Sequence, residues 1–188
     1  MKTDNLERYL ESFGKYLVKQ SRTRLTKGTR KYGSKNVTKA LYNSISFRVD
    51  VTQDGFSLKL FMLDYGKFID KGVSGKKLIQ EYTTYDKKKK PSPYQYTDRM
   101  PPPRALDKWI VKRGLSPRNR KGQFTGRTID AVGFAKSIQF LVARKIYLKG
   151  IPSFSFFQKS LQTGLLKFSD DILEAIKQDI IDTVNNTE

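Results

Sequence analysis

The feature that most constrains this chain is a switch in hydrophobic period at Ser44. Upstream, Leu6, Tyr9, Leu10, Phe13, Leu17 and Leu25 recur near helical spacing, which predicts an amphipathic helix over 4–25. Downstream, Ile45, Phe47, Val49 and Val51 alternate with polar neighbours, and Phe56, Leu58, Leu60 and Met62 do the same after Gln53-Asp54-Gly55. A period of 3.6 buries one stripe of a helix and a period of two buries one face of a strand, so the two stretches must be different elements. The second reads as a β-hairpin near 45–63 with an Asp-Gly turn. Asp4 and Glu7 fit a capping-box-like start for the first helix.

The remaining segments extend this into an α+β reading. A short helix is expected over 38–43. Tyr65 to Gly72 reads as a short helix or turn closing on the hairpin, with Phe68 and Ile69 inward. Residues 72–103 hold five of the seven prolines and four of the ten tyrosines, and read as an inserted loop or extended arm in which 78–85 could add an edge strand. After Pro101-Pro102-Pro103, Leu106, Trp109 and Ile110 share a helical face that Gly114 ends. A helix over 128–149 shows Phe134, Ile138, Leu141, Val142 and Ile146 as its stripe. The last helix, from about Phe156, carries Leu161, Leu165, Phe168, Ile172, Ile176, Ile180 and Val184 at steps of three or four, with Ser155 and Gln158 as its capping box. The fold expected is a single domain over 1–188: a small antiparallel sheet packed with N-terminal, central and C-terminal amphipathic helices, plus the arm.

Composition narrows the chemistry. The 188 residues contain no cysteine and no histidine, which removes thiolate nucleophiles, disulfides, thiolate metal sites and the commonest general base. Asp64 and Asp70 lie close in sequence but lack a third carboxylate to make a cation site, and Asp170-Asp171 reads as a solvated helix face. We therefore expect no catalytic residues, no metal, no cofactor and no enzymatic activity. Met1 to Arg8 is polar where a secretory signal needs an apolar run, and the apolar stretches fall far short of the roughly 20 residues that cross a bilayer. The expectation is a soluble protein made in a cytosol, with no membrane partner.

The charge balance points to a partner. Lys and Arg number 37 against 18 Asp and Glu, a formal +19. Residues 1–150 carry a net +22 and residues 151–188 a net −3, and no carboxylate occurs between Glu11 and Asp50 or between Asp107 and Asp130. Such a field attracts phosphate or an acidic protein surface. The candidate contacts are Arg22, Arg24, Lys27, Arg30 and Lys31 after the first helix, then Arg118, Arg120, Lys121 and Arg127. In the arm, Tyr82, Tyr85, Tyr94 and Tyr96 surround Lys87, Lys88, Lys89 and Lys90, so rings could stack bases while lysines neutralise phosphate, or the tyrosines could pack a protein interface. Phe154, Phe156 and Phe157 crowd a helix start, and at least one is expected at a subunit interface, with a core role for all three the alternative.

One ordered set of short elements is more specific. Leu41-Tyr42-Asn43-Ser44-Ile45 precedes the hairpin, and Tyr65-Gly66-Lys67-Phe68-Ile69-Asp70-Lys71-Gly72 follows it. Then come Leu106 to Leu115, Ala143 to Pro152, and Phe156-Phe157-Gln158-Lys159-Ser160-Leu161. This order resembles the minor tail, or tail-completion, proteins at the head–tail junction of tailed bacteriophages, over roughly residues 38–72 and 104–165. Residues 76–100 depart from that pattern. The resemblance implies a structural protein of the virion neck, assembled in the bacterial cytoplasm as a homo-oligomeric ring between portal and tail proteins. DNA would pass through it with non-specific contacts. The rival reading is a non-specific nucleic-acid-binding protein acting through its basic patches.

Overall fold

A computed structural model of the protein describes residues 4–27, 39–52, 55–107, 110, 121 and 131–185. Its long elements are α1 (Asp4–Lys27), α4 (Ala131–Lys149) and α5 (Phe156–Asn185), with short helices α2 (Ala40–Ser44) and α3 (Gly66–Lys71) between α1 and α4. The strands are β1 (Ser46–Thr52), β2 (Gly55–Phe61), β3 (Val73–Ser74), β4 (Glu81–Thr83), β5 (Lys89–Pro91) and β6 (Gly150–Ile151), in two-stranded antiparallel pairs β1–β2, β3–β6 and β4–β5. The fold is α+β.

The apolar stripe of α1 does what its spacing predicts, because Leu6, Leu10, Leu17 and Leu25 are all buried. It packs antiparallel to α5, its first turn meeting Asp179 and its last turn Phe156. The Phe168 ring lies 5.2–5.9 Å from the rings of Tyr9, Phe13 and Tyr16, so aromatic packing joins the middles of the two helices. Gly164 permits this approach: a Cβ there would fall 2.8 Å from the Phe13 ring and 2.9 Å from a Leu17 methyl.

The hairpin also follows its pattern. Phe47 pairs with Leu60, Val49 with Leu58 and Val51 with Phe56, so the alternating residues share one face. Phe47 reaches α1, where a Cβ on Gly14 would overlap its ring. The turn differs from expectation: the ladder extends to Thr52 and Gly55, so Gly55 belongs to the strand and residues 53–54 lie outside the described ones.

Helix starts are where local reasoning fails. The first-turn amides of α1 at Asn5 and Leu6 donate to the Asp179 carboxylate of α5, at 3.1 and 2.9 Å, from the opposite end of the sequence. Ser155 and Gln158 do not form the expected capping box for α5. Ser155 sits at φ 47° and its hydroxyl accepts from Thr83 N, while the Phe157 amide donates to Asp70 Oδ1 at 2.8 Å and the Gln158 amide at 3.4 Å. The Asp70 carbonyl in turn accepts from Ser155 N and Ser153 Oγ. A carboxylate supplied by another element satisfies the same orphan amides as a local cap would.

Segment 72–103 is largely irregular but is fastened to the body. Gly150, at φ 76°, lets β6 run beside β3, since a Cβ there would lie 2.0 Å from Val73 O. Lys76 N and Lys77 N donate to the end of α4, Gln80 Nε2 donates to Lys149 O, and Ser74 bridges Gln95 in parallel. The β4–β5 hairpin is anchored to α5 through Thr83 N on Ser155 Oγ and Tyr85 N on Gln158 Oε1, both 3.2 Å. The inserted segment is thus held to the body by side-chain and backbone hydrogen bonds.

Of the stripe expected on α4, Ile138, Val142 and Ile146 are half-buried around the buried Ala143, Leu141 is instead exposed, and the Phe134 side chain lies outside the described ones. The face lies over the 3-10 turn Pro103–Leu106 and leaves larger side chains outward. Trp109 and Gly114 lie outside the described residues.

Candidate functional site

The basic field resolves into residues with different employments. Lys15, Lys19 and Lys27 of α1 rim a groove of about 630 Å³ whose floor includes Val18, Tyr42 and Phe47. Arg22 also borders it, yet its guanidinium is committed: Nε donates to Tyr42 O at 3.0 Å, Nη2 to Ile45 O at 2.9 Å, and its cationic carbon sits 5.1 Å from the Tyr42 ring centre. It ties α1 to the turn entering β1. Arg24 faces the other way, donating to Thr163 Oγ1 on α5, and its Nε is buried without a partner among the described residues. Arg22 and Arg24 thus tie elements within the subunit, and Lys15 and Lys19 join Lys27 at the groove. Arg30, Lys31, Arg118, Arg120 and Arg127 lie outside the described residues, and Lys121 is exposed.

The tyrosine–lysine segment divides in two. Lys87, Lys88, Lys89 and Lys90 are exposed around the β4–β5 turn, with Lys87 at φ 65° and Lys88 ion-paired to Asp86 at 3.4 Å. Tyr85 is exposed beside them, while Tyr82 is half-buried under the Lys71 ammonium. Tyr94 and Tyr96 stand apart from the lysine run. Tyr94 meets Phe68 edge-on at 4.7 Å, and burial raises the Tyr96 phenol above its ordinary pKa. Together with Tyr65, Ile69, Val73 and Ile151 they line a groove of about 660 Å³. Phe68, expected inward, is instead part of this groove wall. Tyr94 and Tyr96 thus line an apolar groove, while Tyr85 is the ring exposed beside the lysine run.

Phe154 and Phe156 are buried with Leu25, Leu41 and Ile45, and Phe157 packs against that cluster together with Ile69, Val18 and Met62. Phe154 and Phe156 thus belong to a core within the subunit, while Phe157 is half-buried at its edge. Asp70 lies 3% exposed at the same junction, where burial pushes its carboxyl pKa up and the hydrogen bonds from the Phe157 and Gln158 amides offset only part of the rise. Its engagement by α5 separates it from the exposed Asp64, so the two do not make a cation site. Nothing in the local sequence signals this role, because its donors are 87 and 88 residues away.

Large apolar side chains remain outside. On α5, Leu166 and Leu173 are each 70% exposed and Val184 is 62% exposed, with Ile180 and Leu165 also outward. Four ion pairs, Lys15–Glu11, Lys59–Asp50, Lys88–Asp86 and Lys177–Glu174, each join residues within one helix, hairpin or turn. Among the described residues, no helix is long and apolar enough to cross a membrane. No protein-family model, curated protein or solved structure matches the chain.

Proposed function

We propose that this protein is a structural subunit of a bacteriophage neck, a ring at the portal–tail junction through which DNA passes, without catalysis or cofactor. The observation that carries the reading is convergence. Three of the five sequence elements that resemble tail-completion proteins are distant in the chain, yet residues of each meet at one place: Leu41 and Ile45 from the first, Ile69 and Asp70 from the second, Phe156 and Phe157 from the last.

Two further features favour a ring. The outward Leu166, Leu173 and Val184 of α5 are more apolar surface than a lone subunit gains from, and side-to-side contacts in a closed assembly would cover it. The groove rimmed by Lys15, Lys19 and Lys27 offers a positive surface to a passing duplex. That groove also favours the rival, a subunit that binds nucleic acid by itself without sequence preference.

Light-scattering sizing, imaging of particles and duplex affinity at several salt concentrations decide the matter. The neck reading expects rings, or incorporation at the portal, with weak duplex binding that falls steeply with salt. A chain that stays monomeric at all concentrations, is absent from particles and binds nucleic acid tightly would overturn it in favour of the rival.

A further inference from the structure

We propose that the backbone edge around Gln95, bridged to β3, is a docking site for an extended, acidic segment of a partner protein, which adds beside the β3–β6 pair and sets alternate apolar side chains into the neighbouring aromatic groove. This goes beyond the neck reading and stands whether or not the chain forms rings.

The backbone supplies the first argument. Ser74 N donates to Tyr94 O at 2.7 Å and Tyr96 N donates to Ser74 O at 2.9 Å, a parallel bridge between Ser74 and Gln95. In such a bridge the flanking residues bond inward, so the N–H and C=O of Gln95 face the opposite side. Among the described residues neither has a partner, nor does Pro93 O or Thr97 N, whereas Thr97 O accepts from the Tyr147 hydroxyl and ends the free edge. Gln95 and Thr97 are exposed. Proline fits here because its missing donor falls on an edge, where no ladder bond within the sheet is lost. An edge with free donors and acceptors is a template for another strand.

The groove supplies the second argument. Tyr94 and Tyr96 flank Gln95 and line, with Tyr65, Phe68 and Val73, the space of about 660 Å³. A strand added beside 93–97 sends every second side chain to that same face, so backbone pairing and groove filling occur in one register. Tyr65 is 41% and Phe68 36% exposed, leaving aromatic area for a ligand to cover.

Charge selects the partner. The Lys67 ammonium lies 5.3 Å from the Phe68 ring centre at one end. At the other, Lys76 lies 5.9 Å from the Tyr147 ring, whose hydroxyl donates to Thr97 O. Lys67, Lys76 and Arg99 against Asp64 and Asp98 leave a net +1 in these segments, within residues 1–150 of net +22. An acidic segment with aliphatic or aromatic residues at alternate positions meets all three conditions.

The test uses the full chain, labelled with ¹⁵N, and a seven-residue peptide alternating glutamate and valine. The expected result is saturable movement of the Gln95 and Thr97 amide resonances. Affinity should drop about tenfold when the peptide's valine amides are N-methylated, the loss of one or two hydrogen bonds, and a lysine–valine peptide should bind more weakly still. Tyr96→Ala should weaken binding while leaving distant resonances in place, and Gln95→Pro should remove the edge donor. The proposal is overturned if no amide in 93–97 responds at millimolar peptide, or if the methylated peptide binds equally well. It is also overturned if these amides shift with protein concentration alone, because a second copy then holds the edge, or if an oligonucleotide occupies it more tightly than the peptide.

Discussion

Replacing Asp70 tests the cap that joins α3 to α5. In Asp70→Ala, the amides of Phe157 and Gln158 lose their acceptor in a place that water does not reach, as Asp70 is 3% exposed. Losing a helix cap costs about 1 kcal/mol and leaving a buried donor unpaired costs about 1–3 kcal/mol, overlapping contributions that give a total of about 2–3 kcal/mol. For a chain of this length that lowers Tm by about 4–10 °C. Asp70→Asn is the informative comparison. Both amides use the single oxygen Oδ1, which an amide oxygen replaces, and the buried charge disappears. Because burial raises the folded-state pKa of Asp70, the native protein binds more protons than the unfolded chain between the unfolded value, about 3.9, and the higher folded value. Stability from this group is therefore greatest at low pH and falls as pH rises through that window. Asp70→Asn removes the fall, so its stability relative to wild type should improve with pH across the window and match or exceed wild type at pH 7. Urea denaturation at a series of pH values measures this. If Asn destabilises at pH 7 as much as Ala does, or if the wild-type protein gains stability across the window relative to Asn, a neutral acceptor is not what α5 requires and the reasoning fails.

The remaining predictions follow the same geometry. Asp179→Ala should cost about 1–2 kcal/mol by freeing the Asn5 and Leu6 amides, visible as a lower denaturation midpoint and faster hydrogen exchange in the first turn of α1. Gly164→Ala should destabilise by about 1–2 kcal/mol in chemical denaturation despite alanine's better helix propensity, because its methyl meets Phe13 and Leu17. Phe156→Ala should cost about 3–5 kcal/mol and impair folding, whereas Leu166→Ala should leave the monomer's melting nearly unchanged and affect assembly alone, as sizing would report. Replacing Lys15, Lys19 and Lys27 together with alanine should reduce the log–log salt slope of duplex binding by about 3, whereas loss of affinity with an unchanged slope would place the duplex elsewhere.

The sequence by itself determined the elements whose pattern repeats within a few residues. The buried leucines of α1, the paired alternation of the hairpin and the length of α5 are set by side-chain directions that recur every 3.6 or two positions, so they are legible without any partner. The basic field was legible too, as a sum over the chain. What each cation and aromatic ring does was decided only in three dimensions. Arg22 became a tie to Tyr42 and Ile45, Phe68 turned from the core to meet Tyr94, and Phe154 and Phe156 went inside. Two of the three long helices begin on carboxylates borrowed from afar, Asp70 for α5 and Asp179 for α1. A cap needs only an acceptor at the right point in space, and chain separations of 87 and 173 residues leave no local spacing from which to read it.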